Sequence, residues 1–382
     1  MLTRHTNRAA LAALVICHCA GMLDMVALPV WIGVLVERYG FSSQQAGGLV
    51  TLFMVGAFLA SLVLAPRFNN LNQRWIATAG FGMGSCAFLA AGTQETFPVL
   101  AILHLIAGLG AGVALSMAHG TMGRTANPHK MFAISFGALG FLAIILLAAL
   151  PQLIIAFGAS VLFLVFGGIM LVATCAAALL FRNPPRVDEQ LKKPFNRATW
   201  LTIFGIGIMT FNQSMVFAFV EVIGKTRGFE AGAVLTVLIA LGLINFLVPA
   251  PLSTFLQSRV SAPLMTQIGP VIQAVLALGV TTATVMPIWG PSAAFFVTTQ
   301  IFTHTFVFGL LSRLDPTGRA TAATPAMALI GAALGPFAGG VLAQNFGFEA
   351  LGLAAVFVGL TSAACFTLAR ASARSLQPAP AL

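Results

Sequence analysis

The chain has 382 residues, of which 59% are hydrophobic and only 7% charged, with a mean hydropathy of +0.97. Water cannot be the solvent for so apolar a surface, so a soluble globular domain is excluded and lipid must surround most of the chain. The net charge of +10 does not indicate nucleic acid, because basic residues stand one or two at a time between apolar runs instead of clustering with aromatics.

A bilayer core of about 30 Å takes about 20 mostly apolar residues per helical span. Such runs recur at 9–36, 44–65, 75–94, 97–122, 131–150, 156–181, 198–222, 231–256, 263–286, 291–311, 320–343 and 349–369. They are too long for barrel strands and lack strict alternation, so the pattern predicts an all-α membrane protein with twelve transmembrane helices. With a cytoplasmic N-terminus, sixteen Lys and Arg residues fall in inside segments, and only Arg38, Lys225 and Arg227 fall outside. That asymmetry supports the span count and places both termini in the cytoplasm. The basic start, Arg4 and Arg8, precedes an apolar stretch longer than a signal-peptide core, which reads as an uncleaved first span.

In span one, Cys17-His18-Cys19 resembles a metal triplet on paper, but consecutive helical side chains point about 100° apart and cannot converge on one ion. The five cysteines all fall within spans, where a secreted disulfide framework is not expected. Asp24 is the leading site candidate, since a carboxylate at membrane depth costs at least about 2.5 kcal/mol without a partner, a proton or water. The alternative is a buried carboxyl that only orders helix packing. Trp31 follows seven residues later on a similar face and could border a cavity.

His104 enters span four from the other side of the membrane, and about 1.5 Å of rise per residue puts it at a depth comparable to Asp24. The pair could exchange a proton near neutral pH, or His104 could be a packed hydrogen-bonding residue. His18 and His119 are open to a pathway or a packing reading. The most polar stretch, 182–197, reads as a cytoplasmic linker between an N-terminal bundle, 1–181, and a C-terminal bundle, 198–382. In span seven, Asn212 and Gln213 fall opposite Asp24 in the repeat, and Glu221 and Lys225 have the spacing of a surface ion pair. Span ten carries Gln300 and His304 one turn apart on one face. These amides and the imidazole could bind solute or join helices. Trp31, Trp75, Trp200 and Trp289 all lie near span ends, the position of interfacial anchors.

The halves share landmarks in the same order. Asn7-Arg8-Ala9 matches Asn196-Arg197-Ala198, Gly40-Phe41 matches Gly228-Phe229, and Ala65-Pro66 precedes Arg74 as Ala250-Pro251 precedes Arg259. A duplicated six-helix unit accounts for this.

Twelve spans, a basic central loop and paired halves resemble the major facilitator superfamily, and local motifs extend the likeness. Leu23-Asp24-Met25-Val26-Ala27-Leu28-Pro29 is similar to the first-helix motif of proton-coupled drug exporters. His104-Leu105-Ile106-Ala107-Gly108-Leu109-Gly110-Ala111-Gly112 is similar to the family's span-four pattern, with histidine in place of arginine. Gly331 to Gly340 reproduces in span eleven the antiporter string usually found in span five, while the loop after span two keeps only Arg67 of the usual motif. The resemblance implies two pseudo-symmetric bundles, alternating access, and a midplane cavity lined by spans one, four, seven and ten. Asp24 and His104 would couple to protons, and Asp24, Trp31, His104, Asn212, Gln213, Gln300 and His304 would line the solute site.

No phosphate-binding loop supports ATP-driven transport, and no nucleophile, base and metal constellation supports an enzyme. The expected function is therefore proton-coupled movement of a small neutral or cationic, partly apolar solute, by export. No cofactor is implied, and the proton gradient supplies the energy. Import of a small organic acid with protons is the alternative, and a non-transporting membrane receptor is an alternative of another class. The expected partners are the small-molecule substrate and the lipid bilayer, without nucleic acid, for a monomer in a bacterial inner membrane.

Overall fold

The computed structural model describes residues 8–23, 26–27, 30–31, 34–35, 38–41, 43–185 and 194–374. Asp24, Pro29 and residues 186–193 of the central linker lie outside the described residues. The described chain is helical throughout its apolar runs and contains no strand. Backbone groups in lipid must be satisfied within the segment, which helices do without a partner.

The first half comprises α1 (Arg8–Gly21), α2 (Ser43–Leu64), α3 (Gln73–Ala91), α4 (Phe97–Met122), α5 (Pro128–Phe157) and α6 (Val161–Leu180). The second comprises α7 (Arg197–Phe217), α8 (Val220–Thr226), α9 (Ala231–Leu247), α10 (Pro249–Leu256), α11 (Ala262–Thr282), α12 (Met286–Leu314), α13 (Arg319–Ala322) and α14 (Thr324–Arg374). Eight helical segments among the described residues are long and apolar enough to cross a bilayer. The predicted eighth span is two helices, because Pro249 and Pro251 supply no N–H and suit a helix start better than an interior. Predicted spans eleven and twelve form the run α14, broken at Gly347 with φ 81° and ψ 172°. Large apolar side chains such as Phe157, Leu179, Phe346 and Phe357 are exposed, as lipid-facing positions require.

Asparagines begin helices where polar loops re-enter apolar runs. Asn72 Oδ1 accepts from Trp75 N, Asn127 Oδ1 from Lys130 N at 2.9 Å, and Asn196 Oδ1 from Thr199 N at 2.8 Å. Each satisfies a first-turn N–H that has no intrahelical acceptor. Gly40 and Gly228, matched in the repeat, both adopt positive φ, 70° and 81°, so each half uses a left-handed glycine in the same landmark turn.

The described chain forms two compact units: Met1–Ala126 with Ile134–Asp188 and Thr317–Leu329, and Asn127–Ala133 with Glu189–Pro316 and Ile330–Leu382. In the first, α4 packs at backbone distance. A Cβ at Gly108 would strike Phe53 O, one at Gly110 would strike Gly80 O, and one at Gly112 would strike Ala57 O. The span-four glycine pattern thus draws α4 against α2 on two positions and against α3 on the third. The segment 317–329 joins this unit through Gly318, at φ 81° against Gly120 O and Arg124, and through Thr321 against Gly123. Arg67 donates to Val63 O at 2.7 Å, within its own helix end.

In the second unit, Gly331, Gly335 and Gly339 bring α14 against the α7 backbone at Gly207, Met215 and Phe211. The span-eleven string is therefore a close-packing face. Residues 127–133 belong here because His129 packs its ring edge on Phe306 at 4.4 Å and Phe132 packs on Phe308 at 4.3 Å.

The tryptophans divide, which corrects their common assignment as interfacial anchors. Trp75 and Trp200 are exposed, while Trp31 and Trp289 are completely buried. Their ring area is worth more inside an aromatic or aliphatic core than at the headgroups. Trp289 packs beside Phe229 and against Gly224.

Candidate functional sites

Among the described residues, buried polar groups interrupt the apolar interior, including two centred on histidines in the first unit and an amide network in the second. The first surrounds His104. Trp31 Nε1 donates to His104 Nε2 at 3.3 Å, and His104 Nδ1 lies 2.7 Å from Leu100 O. The carbonyl can only accept, so Nδ1 carries the hydrogen and Nε2 accepts from the indole. Phe88 and Phe163 meet the imidazole edge-on, and Phe53, Phe88 and Phe166 pack around the indole. Both ring nitrogens are engaged and His104 has no exposed surface. A second proton on this ring would set two N–H groups against each other at Trp31. The structure brings Trp31 and His104 together; Asp24, their expected neighbour, lies outside the described residues.

The second group is formed by His18 on α1, His119 on α4 and Thr324 at the start of α14. His18 Nδ1 is 2.9 Å from His119 Nε2, and His119 Nδ1 is 3.1 Å from Thr324 Oγ1. All three residues are buried.

The third group connects α7, α11, α12 and α14. Asn212 Nδ2 donates to Ala355 O at 3.0 Å and to Gln273 Oε1 at 3.4 Å. Gln273 Nε2 donates to Gln300 Oε1 at 2.8 Å, and Gln300 Nε2 reaches Thr210 Oγ1 and His304 Nε2, each at 2.9 Å. Thr210 in turn donates to Ile206 O at 2.9 Å. The network has a direction: Asn212, Gln273, Gln300 and Thr210 each donate to the next, ending on a backbone carbonyl. Two side-chain oxygens, Asn212 Oδ1 and Gln213 Oε1, are buried without a hydrogen-bond partner among the described residues. Such oxygens are acceptors waiting for a donor, and each costs about 1–3 kcal/mol while unmet. Gln273 and Thr210 were not singled out from sequence, although a glutamine within an apolar run three residues after Pro270 is a visible signal.

Outside the spans, a polar cavity of about 580 Å³ is lined by residues including Arg38, Tyr39, Gln94, Glu95 and Ser160. Burial raises the phenol pKa of Tyr39 above its ordinary value of 10.0, and the nearby Glu95 carboxylate adds to this. Glu221 and Lys225, expected to pair, have side chains outside the described set.

Lipid-facing helices, glycine-mediated close packing and buried polar groups define a polytopic α-helical membrane protein. The chain belongs to the major facilitator superfamily, whose model matches residues 14–328. A stretch of 166 residues is 24% identical to the 3-(3-hydroxy-phenyl)propionate transporter of Escherichia coli K12, spanning 37% of this chain and 40% of that protein. The chain thus matches well under half the length of that relative. Solved structures similar over nearly the whole chain include the E. coli fucose:proton symporter (TM-score 0.75, 15% identity, 97% of this chain and 98% of that one). The human organic anion transporter MFSD10 is similar with a TM-score of 0.70 and 13% identity, over 94% of this chain and 99% of that one. At these identities the likeness concerns the fold.

Proposed function

We propose that the chain is a proton-coupled secondary transporter that moves a small neutral or cationic, partly apolar solute by alternating access, in the direction of export. It acts as a monomer in a bacterial inner membrane with both termini cytoplasmic, through two bundles, 1–181 and 198–382, joined by the linker 182–197. The observation that carries the substrate class is the pair of unpartnered acceptors, Asn212 Oδ1 and Gln213 Oε1, beside a network whose amide donors are already engaged. A hydroxyl or ammonium would satisfy such oxygens, whereas a carboxylate would repel them. No Lys or Arg stands at the centre of a described span to hold an anion. Gln300 and His304 complete the polar side of the site. Asp24 and His104 are assigned to proton coupling, supported by the Asp-x-x-Ala-Leu-Pro string, which also favours export.

The test is accumulation by purified protein in proteoliposomes under an imposed pH gradient, across neutral, cationic and anionic solutes matched in size. Preference for neutral or cationic members is expected, and selective high-affinity transport of a dianion would overturn the class. Import of an organic acid is the second reading, favoured by the stretch similar to the hydroxyphenylpropionate transporter. Absence of movement for every solute, with specific binding retained, would indicate a receptor.

A further inference from the structure

The His18–His119 pair is not used by the solute site, yet it brings two titratable side chains within 2.9 Å of one another in the interior of the first unit. Its hydrogen positions follow from its surroundings. Thr324 Oγ1 donates to Thr321 O at 2.7 Å, so its oxygen is left to accept from His119 Nδ1–H at 3.1 Å. His119 Nε2 then bears a lone pair and accepts from His18 Nδ1–H at 2.9 Å. The remaining nitrogen, His18 Nε2, is an acceptor, buried, with no hydrogen-bond partner among the described residues. His18 has no exposed surface at all.

We infer that His18 and His119 form a one-proton site, loaded at His18 Nε2 and linked through Thr324 to the position of segment 317–329. A proton there adds an N–H without removing any existing bond. It also converts the His18–His119 contact from a neutral hydrogen bond to a charge-assisted one, which is roughly twice as strong. A second proton would have to enter between the rings, where His18 Nδ1–H and an added His119 Nε2–H would face each other, so the capacity is one. The rings lie 5.1 Å apart at 26°, and Phe136 meets His18 edge-on at 4.8 Å. If segment 317–329 moves away, His119 Nδ1–H loses its acceptor, and the pair no longer holds the proton in the same geometry. Proton occupancy and the placement of that segment are thereby linked.

Among the described residues, the charges that flank the pair on its own helices are Arg8 at the start of α1 and Arg124 just beyond α4, which donates to Asn69 Oδ1 at 3.3 Å. The neighbours on α1 are the thiols Cys17 and Cys19; α6 carries only the exposed Cys175, and α5 carries no titratable residue from 134 to 157. His104 stands fifteen residues before His119 on α4 and is held by Trp31. Segment 317–329 brings Arg319, whose Nε donates to Thr317 Oγ1 at 3.2 Å. Asp24, six positions beyond His18, lies outside the described residues.

The inference rests on the reading of the chain as proton-coupled, and its test must fail separately from that reading. Ring ¹⁵N spectra of the full-length protein in nanodiscs, with each histidine assigned by single replacement, report protonation without any gradient or solute. The expected result is a coupling between His18 Nδ1 and His119 Nε2 and a joint shift of both rings with uptake of a single proton as the pH is lowered. Thr324→Val should displace that step while Thr324→Ser leaves it in place. His18→Asn, which keeps a donor near the Nδ1 position but cannot be charged, should abolish the step and reduce pH-driven accumulation to equilibration. Independent titration of the two rings, or no protonation of either, would overturn the site. Wild-type protein that shows the proton step but no gradient-driven accumulation would instead strike the coupled-transport reading.

Discussion

His104 and His304 occupy roughly corresponding places in the two halves, yet their surroundings differ in kind. His104 is closed in by Trp31 and phenylalanines, with both nitrogens engaged. His304 instead shares its Nε2 with Gln300 and Thr210 in a chain of amides. The sequence difference behind this is plain: the first half surrounds its histidine with Phe53, Phe88, Phe163 and Phe166, and the second supplies Asn212, Gln273 and Gln300. Aromatic packing leaves His104 no free acceptor for a solute, whereas the amide network stands beside unmet acceptors. A duplicated scaffold can thus divide its work, with packing and proton traffic on one side and solute hydrogen bonding on the other.

The largest expected effect breaks the scaffold both sites depend on. Gly112→Val would press a branched side chain into the Ala57 backbone, an overpacking cost of about 3 kcal/mol. Thermal unfolding in detergent should show severe loss, while Gly168→Val, at a glycine with open space beside it, should stay near wild type.

Next in size is the amide network. Gln300→Leu would strand Gln273 Nε2 and remove donors from Thr210 and His304, at about 1–3 kcal/mol for each buried group left unmet. Solute binding measured by calorimetry should be lost even where folded protein is recovered. Trp31→Phe keeps most of the ring area but deprives His104 Nε2 of its donor, so a smaller loss of about 1 kcal/mol is expected in stability.

The smallest effect is spectroscopic. Tyr39 is the sole tyrosine, so phenolate absorbance reports it alone. Its pKa is raised in the folded chain, first by burial and then by Glu95, so the folded state holds its proton beyond the pH at which the unfolded chain releases it. Stability should fall as pH rises through the unfolded value near 10.0, and Glu95→Gln should bring the folded midpoint partway down.

The helical membrane fold was legible because hydropathy and charge asymmetry are one-dimensional signals. The glycines of span four and span eleven, at two- or four-residue intervals, are small residues of the kind that let helices approach closely. Partnerships were harder to read. Gln300 and His304 were identifiable as neighbours one turn apart, but Gln273, which joins Gln300 to Asn212, belongs to another helix, and nothing local names its partner. The bond of His119 to Thr324 spans 205 positions and exists only because Gly123 and Gly318 permit segment 317–329 to approach α4. Trp31 and Trp289 sit near predicted span ends, so their burial depended on facing aromatic and glycine surfaces that no single helix reveals.

The central claim is a division of labour, with the proton handled in the first half and the solute in the second. Its most direct test compares counterflow with pH-driven accumulation in proteoliposomes, using whichever panel solute the wild-type protein concentrates. Asp24→Asn should keep solute exchange and lose accumulation against a gradient, whereas Gln300→Leu should lose both. Wild-type-like accumulation by well-folded Asp24→Asn, or counterflow surviving in well-folded Gln300→Leu, would contradict the account.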